Sequence, residues 1–134
     1  MTVVVGYLPT PEGSAAVDAA IAAAQGSGSD LVIVNTGNHA DFSTGSFATS
    51  PDLDALAGQL TALGLTHDIR QPTAGQSAAV EILAAAEETD AELVVIGVRR
   101  RSPLGKLILG STAQDVLLGA DCPVLAVKPP RRDP

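Results

Sequence analysis

The chain has a single cysteine, Cys122, so it can form no disulfide within itself. It has no tryptophan, one tyrosine and two phenylalanines, so its core must be built from Val, Leu, Ile and Ala, a palette suited to helices layered on a sheet. Positive charge is scarce: eight Lys and Arg stand against 15 Asp and Glu, for a net charge of -7. That balance excludes the broad basic face of a general nucleic-acid binder. No apolar run approaches the roughly 20 residues needed to span a bilayer. The first residues, MTVVVGYL, are not a basic segment followed by a long apolar one, so the expectation is a cytoplasmic protein with no membrane role of its own. Two histidines, His39 and His67, lie far apart with no second ligand at metal spacing, and no Ser-His-Asp set or carboxylate pair can be argued from spacing. No catalytic residue and no metal site are expected.

With 134 residues the chain has the length of one domain, read here as residues 1–128 followed by a flexible tail at 129–134. Thr2 to Tyr7 reads as a strand covered on both faces, because Val3, Val4 and Val5 run without alternation. Ser14 is placed to cap a helix whose Val17, Ala20, Ile21 and Ala24 share one face, with Gly26 to Gly28 ending it. Leu31 to Val34 is a second strand. The polar stretch Gly37 to Ser50, which holds Phe42 and Phe47, reads as a long loop. Leu53, Leu56, Leu60 and Leu63 then form the apolar stripe of a helix stopped by Gly64. Leu65 to Arg70 alternates like an edge strand, Ser77 to Thr89 is helical, Leu93 to Ile96 is a fourth strand, Ser111 to Leu118 a last helix and Val124 to Val127 a fifth strand. The order predicts a three-layer α/β/α, Rossmann-like domain with a five-stranded parallel sheet. Ligands of such sheets sit beyond the carboxyl ends of the strands.

What is present at that end is a basic, glycine-bounded loop. Arg99, Arg100, Arg101 and Lys106, half of all the basic residues, lie between Gly97 and Gly110. Cations and glycine-flanked backbone amides in an otherwise acidic chain are suited to an anion, and the phosphate chain of a nucleotide is the natural candidate. The alternative is a solvated charge run ahead of a simple helix start capped by Ser111. A Walker A loop would need Gly at position 100 and Ser or Thr at 107, where Arg100 and Leu107 stand. A dinucleotide fingerprint is absent after the first strand.

The spacing that fits resembles the universal stress protein family, whose ATP-binding members carry Gly, two residues, Gly, nine residues, Gly and then Ser or Thr after the fourth strand. Gly97, Gly110 and Ser111 are in register with it, Leu93-Val94-Val95-Ile96-Gly97 is similar to the family's fourth strand, and Asp121-Cys122-Pro123-Val124-Leu125-Ala126-Val127 to its closing strand. The resemblance covers nearly the whole chain. It implies the fold of the adenine-nucleotide alpha-hydrolase-like group, a stress-response role through ligand-dependent contact with a regulatory partner, ATP with Mg as ligand, and a homodimer through Val124–Val127. It places Gly97, Arg99, Gly105, Gly110, Ser111 and Thr112 at the phosphates, and Gly6, Tyr7 and Thr36 near the base. Two departures stand out. Arg100 replaces the second glycine, where its guanidinium either blocks the site or adds a bidentate phosphate contact. Tyr7 stands where the family often has an acidic residue. These departures favour an alternative reading, an ATP-independent dimeric regulator of the same family, and for slow ATP hydrolysis no base can be identified.

Overall fold

The structure is a computed structural model, which describes residues 1–36, 50–71, 77–99 and 109–129. Strands and helices alternate: β1 (Thr2–Tyr7), α1 (Pro11–Ser27), β2 (Asp30–Asn35), α2 (Ser50–Ala62), β3 (His67–Arg70), α3 (Ala78–Thr89), β4 (Leu93–Gly97), α4 (Ser111–Gly119) and β5 (Val124–Val127). The five strands form one parallel sheet in the order β3-β2-β1-β4-β5. This is the Rossmann-like α/β architecture expected from the sequence. No described helix is long and apolar enough to cross a membrane. Phe42, Phe47 and His39, and the tail from residue 130, lie outside the described residues.

The unbroken valine run of β1 is explained by its place at the centre of the sheet, where successive side chains enter opposite layers. Val3 and Val5 pack with Ala16, Val17, Ala20 and Ile21 of α1 and Leu56 and Leu60 of α2. Val4 packs on the other face with Ala79, Ile82 and Ala85 of α3 and Ala113 and Val116 of α4. All three valines are at most 1% exposed. Burial of each such side chain contributes about 1.5–3 kcal/mol.

Three boundaries differ from expectation. Helix α1 starts at Pro11, so Thr10 is the cap in place of Ser14: the Thr10 hydroxyl accepts from the Gly13 N–H at 3.1 Å, and Pro11 supplies a preset helical φ at the first helical position. Leu63 does not extend the stripe of α2; the helix ends at Ala62, Gly64 turns at φ 72°, and Leu63 is 45% exposed. Strand β3 is shorter than read, because the Leu65 N–H closes back onto the Leu60 carbonyl at 3.1 Å and belongs to the helix end.

The two sheet edges are unlike. Edge strand β3 carries His67, Asp68 and Arg70, and the Arg70 guanidinium reaches Asp68 at 3.0 Å and Glu88 of α3 at 2.8 Å. Edge strand β5 is Val-Leu-Ala-Val, with Leu125 43% exposed. Charge on an edge strand deters pairing with another chain, and its absence from β5 leaves that edge open to it.

Candidate functional site at the carboxyl ends of β1 and β4

From β1 the chain passes to β2 on one side, and from α3 it returns to β4 on the other, so the strand order reverses between β1 and β4. A crevice beyond the carboxyl ends of the strands is expected at that point. Tyr7 and Leu8 leave β1 there, Gly97 and Val98 leave β4, and α1 rises between them.

The first turn of α1 is set very close to both strand exits. A Cβ on Gly13 would collide with the Leu8 backbone, and one on Gly97 would lie 2.7 Å from the Glu12 carbonyl carbon. Gly97, the first glycine of the sequence spacing, is therefore needed for helix to strand packing at this point. The Val98 N–H continues the ladder to the Val127 carbonyl at 2.8 Å, and Val98 is buried. Arg99 follows, with its side chain 57% exposed and its Nε 3.7 Å from Oε1 of Glu12, whose side chain is 13% exposed.

On the other side of β1 the base-side residues converge. Tyr7 is paired in register with Asn35, and its carbonyl oxygen accepts from both the Thr36 N–H (3.0 Å) and the Thr36 hydroxyl (3.1 Å). Gly6 lies under the same group: a Cβ there would come within 3.3 Å of the Thr36 methyl and 2.7 Å of Ile82 Cδ1. Tyr7 itself leans on the α1/α2 layer of the core. Burial, and then the Asp52 carboxylate in the first turn of α2, push its phenol above the ordinary value of 10.

Helix α4 starts differently from α1 and α3. Thr10 and Ser77 cap those two with hydroxyl acceptors, whereas α4 is capped by Gly110, which has no side chain to offer. Ser111 is the first helical residue and does not cap. Gly110, Ser111 and Thr112 are all exposed. Nearby, Gln114 donates its backbone N–H to the Gly110 carbonyl and its side-chain Nε2 to the Leu109 carbonyl. Uncapped N–H groups and two hydroxyls at the positive end of a helix dipole suit an anion.

Of the residues singled out from the sequence, the structure brings Gly6, Tyr7 and Thr36 together at one side of the crevice, with Gly97 and Arg99 beside the start of α1. Gly110, Ser111 and Thr112 sit together at the start of α4. Arg100 and Gly105 lie outside the described residues. Cys122 packs partly buried against the α3/α4 layer, and burial raises its thiol pKa, the opposite of what a reactive thiolate needs. Sequence reasoning missed Glu12 and Asp52. The available signal was that each is an acidic residue in the first turn of a helix following the carboxyl end of a strand.

The fold defines a Rossmann-like α/β protein whose strand order reverses between β1 and β4. Residues 1–128 match the universal stress protein family. A universal stress protein of Mycolicibacterium smegmatis is 42% identical over 127 residues, covering 95% of this chain and 97% of that relative. A universal stress protein from Archaeoglobus fulgidus has the same fold at 28% identity and a TM-score of 0.65, with 96% of this chain and 98% of that one covered. A universal stress protein solved in complex with cAMP has a TM-score of 0.69 at 23% identity, with 97% and 98% covered. The chain belongs to the universal stress protein family.

The environment of Tyr7 can be read directly, since it is the chain's one tyrosine. Ultraviolet titration of the folded protein is expected to give a phenol midpoint above 10, lowered by Asp52→Asn. Because the folded-state value is raised, the associated stability is present below pH 10 and is lost as pH rises through the folded midpoint. A midpoint at or below 10, or one indifferent to Asp52→Asn, contradicts this placement.

Proposed function

We propose that the chain is a nucleotide-binding stress protein that takes ATP with Mg at the crevice and acts through ligand-dependent contact with a regulatory partner in the cytoplasm. The observation that carries this reading is the start of α4: an exposed Gly110-Ser111-Thr112 turn without a side-chain cap, in register with the family's phosphate spacing and on the ligand end of the sheet. The cAMP complex of the similar protein supports a nucleotide as ligand class. In this proposal the amides of Gly110, Ser111 and Thr112, the Ser111 and Thr112 hydroxyls and Arg99 hold phosphate oxygens, joined by Arg100 and Gly105. Tyr7, Thr36 and Gly6 border the base. Magnesium accompanies the phosphates as their counter-ion. The role is binding, with no chemistry assigned to any side chain, and the net charge of -7 makes nucleic acid an unfavourable partner.

Gly110 separates binding from folding. It has an ordinary extended backbone (φ -71°, ψ 169°), and among the described residues a Cβ there meets nothing within 4 Å, so a side chain fits without strain. Gly97 offers no such separation, because a methyl group against Glu12 is overpacking, which costs about 1–3 kcal/mol of stability. Gly110→Val is expected to lose no more than about 1 kcal/mol of stability without ligand, the cost of a poorer N-cap, and to lose the stabilisation that millimolar ATP and Mg give the wild type. An undiminished shift in Gly110→Val removes the phosphate assignment.

A second reading, an ATP-independent dimeric regulator, is favoured by a different observation. β5 ends the sheet as an apolar strand, and Leu125 on it and Leu117 and Leu118 on α4 are exposed, at 43%, 41% and 86%. Pairing β5 with its copy across a twofold axis would cover that edge under either reading. Sedimentation at micromolar concentration should give about twice the chain mass of 13.5 kDa, and Leu125→Lys should shift it towards the monomer. A monomeric wild type refutes the dimer.

A further inference from the structure

We propose that Glu12 sets the relative affinity of this site for nucleotides of different charge: by holding Arg99 and keeping a negative charge at the β1/β4 reversal, it lowers the affinity for ATP relative to cAMP without excluding ATP. This rests on the nucleotide reading above and adds to it a residue and a direction of specificity.

The placement of Glu12 is fixed by its backbone. Its carbonyl lies where a Cβ on Gly97 would be, so the first turn of α1 cannot shift relative to the exit of β4. Its side chain is 13% exposed, against 57% for Arg99, so the carboxylate is the confined member of the pair and the guanidinium the movable one. The acid also sits in the first turn of α1. Thr10 already satisfies the Gly13 N–H there. The start of α1 is thus supplied with its own anion and its own cap, while the start of α4 has neither cap nor acid in its first turn.

The consequence for a ligand follows from charge. Arg99 is the first residue with a positive side chain after β4, and in the ligand-free protein its nearest anion is internal. A phosphate that recruits Arg99 must compete with Glu12 and leaves a mostly buried carboxylate with a weakened partner, a costly state for a charge out of water. In this proposal each further phosphate charge left uncompensated by Mg adds to the repulsion from the same carboxylate, so the penalty rises from cAMP through AMP to ATP and is reduced by Mg. Glu12 therefore tilts the site towards nucleotides of low charge, and Arg99 partly offsets the tilt.

The test is equilibrium binding of cAMP, AMP and ATP to the full chain and to Glu12→Gln, Arg99→Ala and the double variant. Glu12→Gln keeps the size of the side chain and the backbone contact with Gly97. It is expected to raise affinity for ATP by about threefold or more, the scale of one partly exposed ion pair, and affinity for cAMP by less. Arg99→Ala is expected to move the ATP-to-cAMP affinity ratio the other way, and in its background the gain from Glu12→Gln should shrink. If Glu12→Gln folds poorly, Glu12→Ala takes its place, because loss of ATP affinity in Arg99→Ala alone is also what a plain phosphate contact gives. A wild type that binds nucleotide with a ratio unmoved by removal of the Glu12 charge overturns this inference, whatever Arg99→Ala does, and leaves the nucleotide reading standing. Absence of binding to both wild type and Glu12→Gln overturns the two together.

Discussion

The rest of the ligand end depends on one close approach: the first turn of α1 is seated directly on the exits of β1 and β4, with no room for a side chain at Gly13 or Gly97. Backbone packed on backbone cannot be repositioned by rotamer changes, so this contact fixes α1 against the strand exits at the reversal. It also sets the chemistry on either side of it. The same turn that presses on Gly97 brings Glu12 to Arg99, and the same strand exit that accommodates Gly13 carries Tyr7, whose carbonyl oxygen anchors Thr36. A local steric requirement at two glycines thereby fixes the relation between the basic exit of β4 and the polar end of β2.

The sequence was most legible where one layer of packing dominates. The valine run of β1, the Leu53, Leu56 and Leu60 stripe of α2 and the apolar face of α3 with Ala79 and Ile82 can each be read from local pattern, and right-handed crossovers carry those elements to the five-stranded parallel sheet. Boundaries were less legible because neighbouring signals compete. Pro9-Thr10-Pro11 has the composition of a turn, yet Pro11 is an ideal first helical residue and Thr10 an equally good cap to Ser14. Leu63 has the right spacing for α2 but follows the point where Gly64 has already turned the chain.

In the candidate site, spacing located Gly97 and Gly110 but did not distinguish their roles. Both are glycines of one motif, and only coordinates reveal that Gly97 is enclosed by the α1 backbone while Gly110 is open. The Glu12 to Arg99 pair was illegible for a related reason: its members are distant in sequence and are joined by the crossover topology alone. Arg99 reads from sequence as a cation awaiting an external anion. In the fold it already has an internal one, Glu12. The sheet edges add a third level. The ionic pairing of Arg70 with Asp68 and Glu88 occupies the β3 side, while β5 presents apolar residues at the opposite edge of the sheet.

The central claim is that this crevice binds a nucleotide, and calorimetric titration of the purified, nucleotide-stripped protein with ATP and Mg tests it most directly. The account predicts saturable binding near one per chain. No heat, together with no displacement by any other nucleotide of a fluorescent ATP analogue, would contradict it and leave the apolar β5 edge as the working surface of the protein.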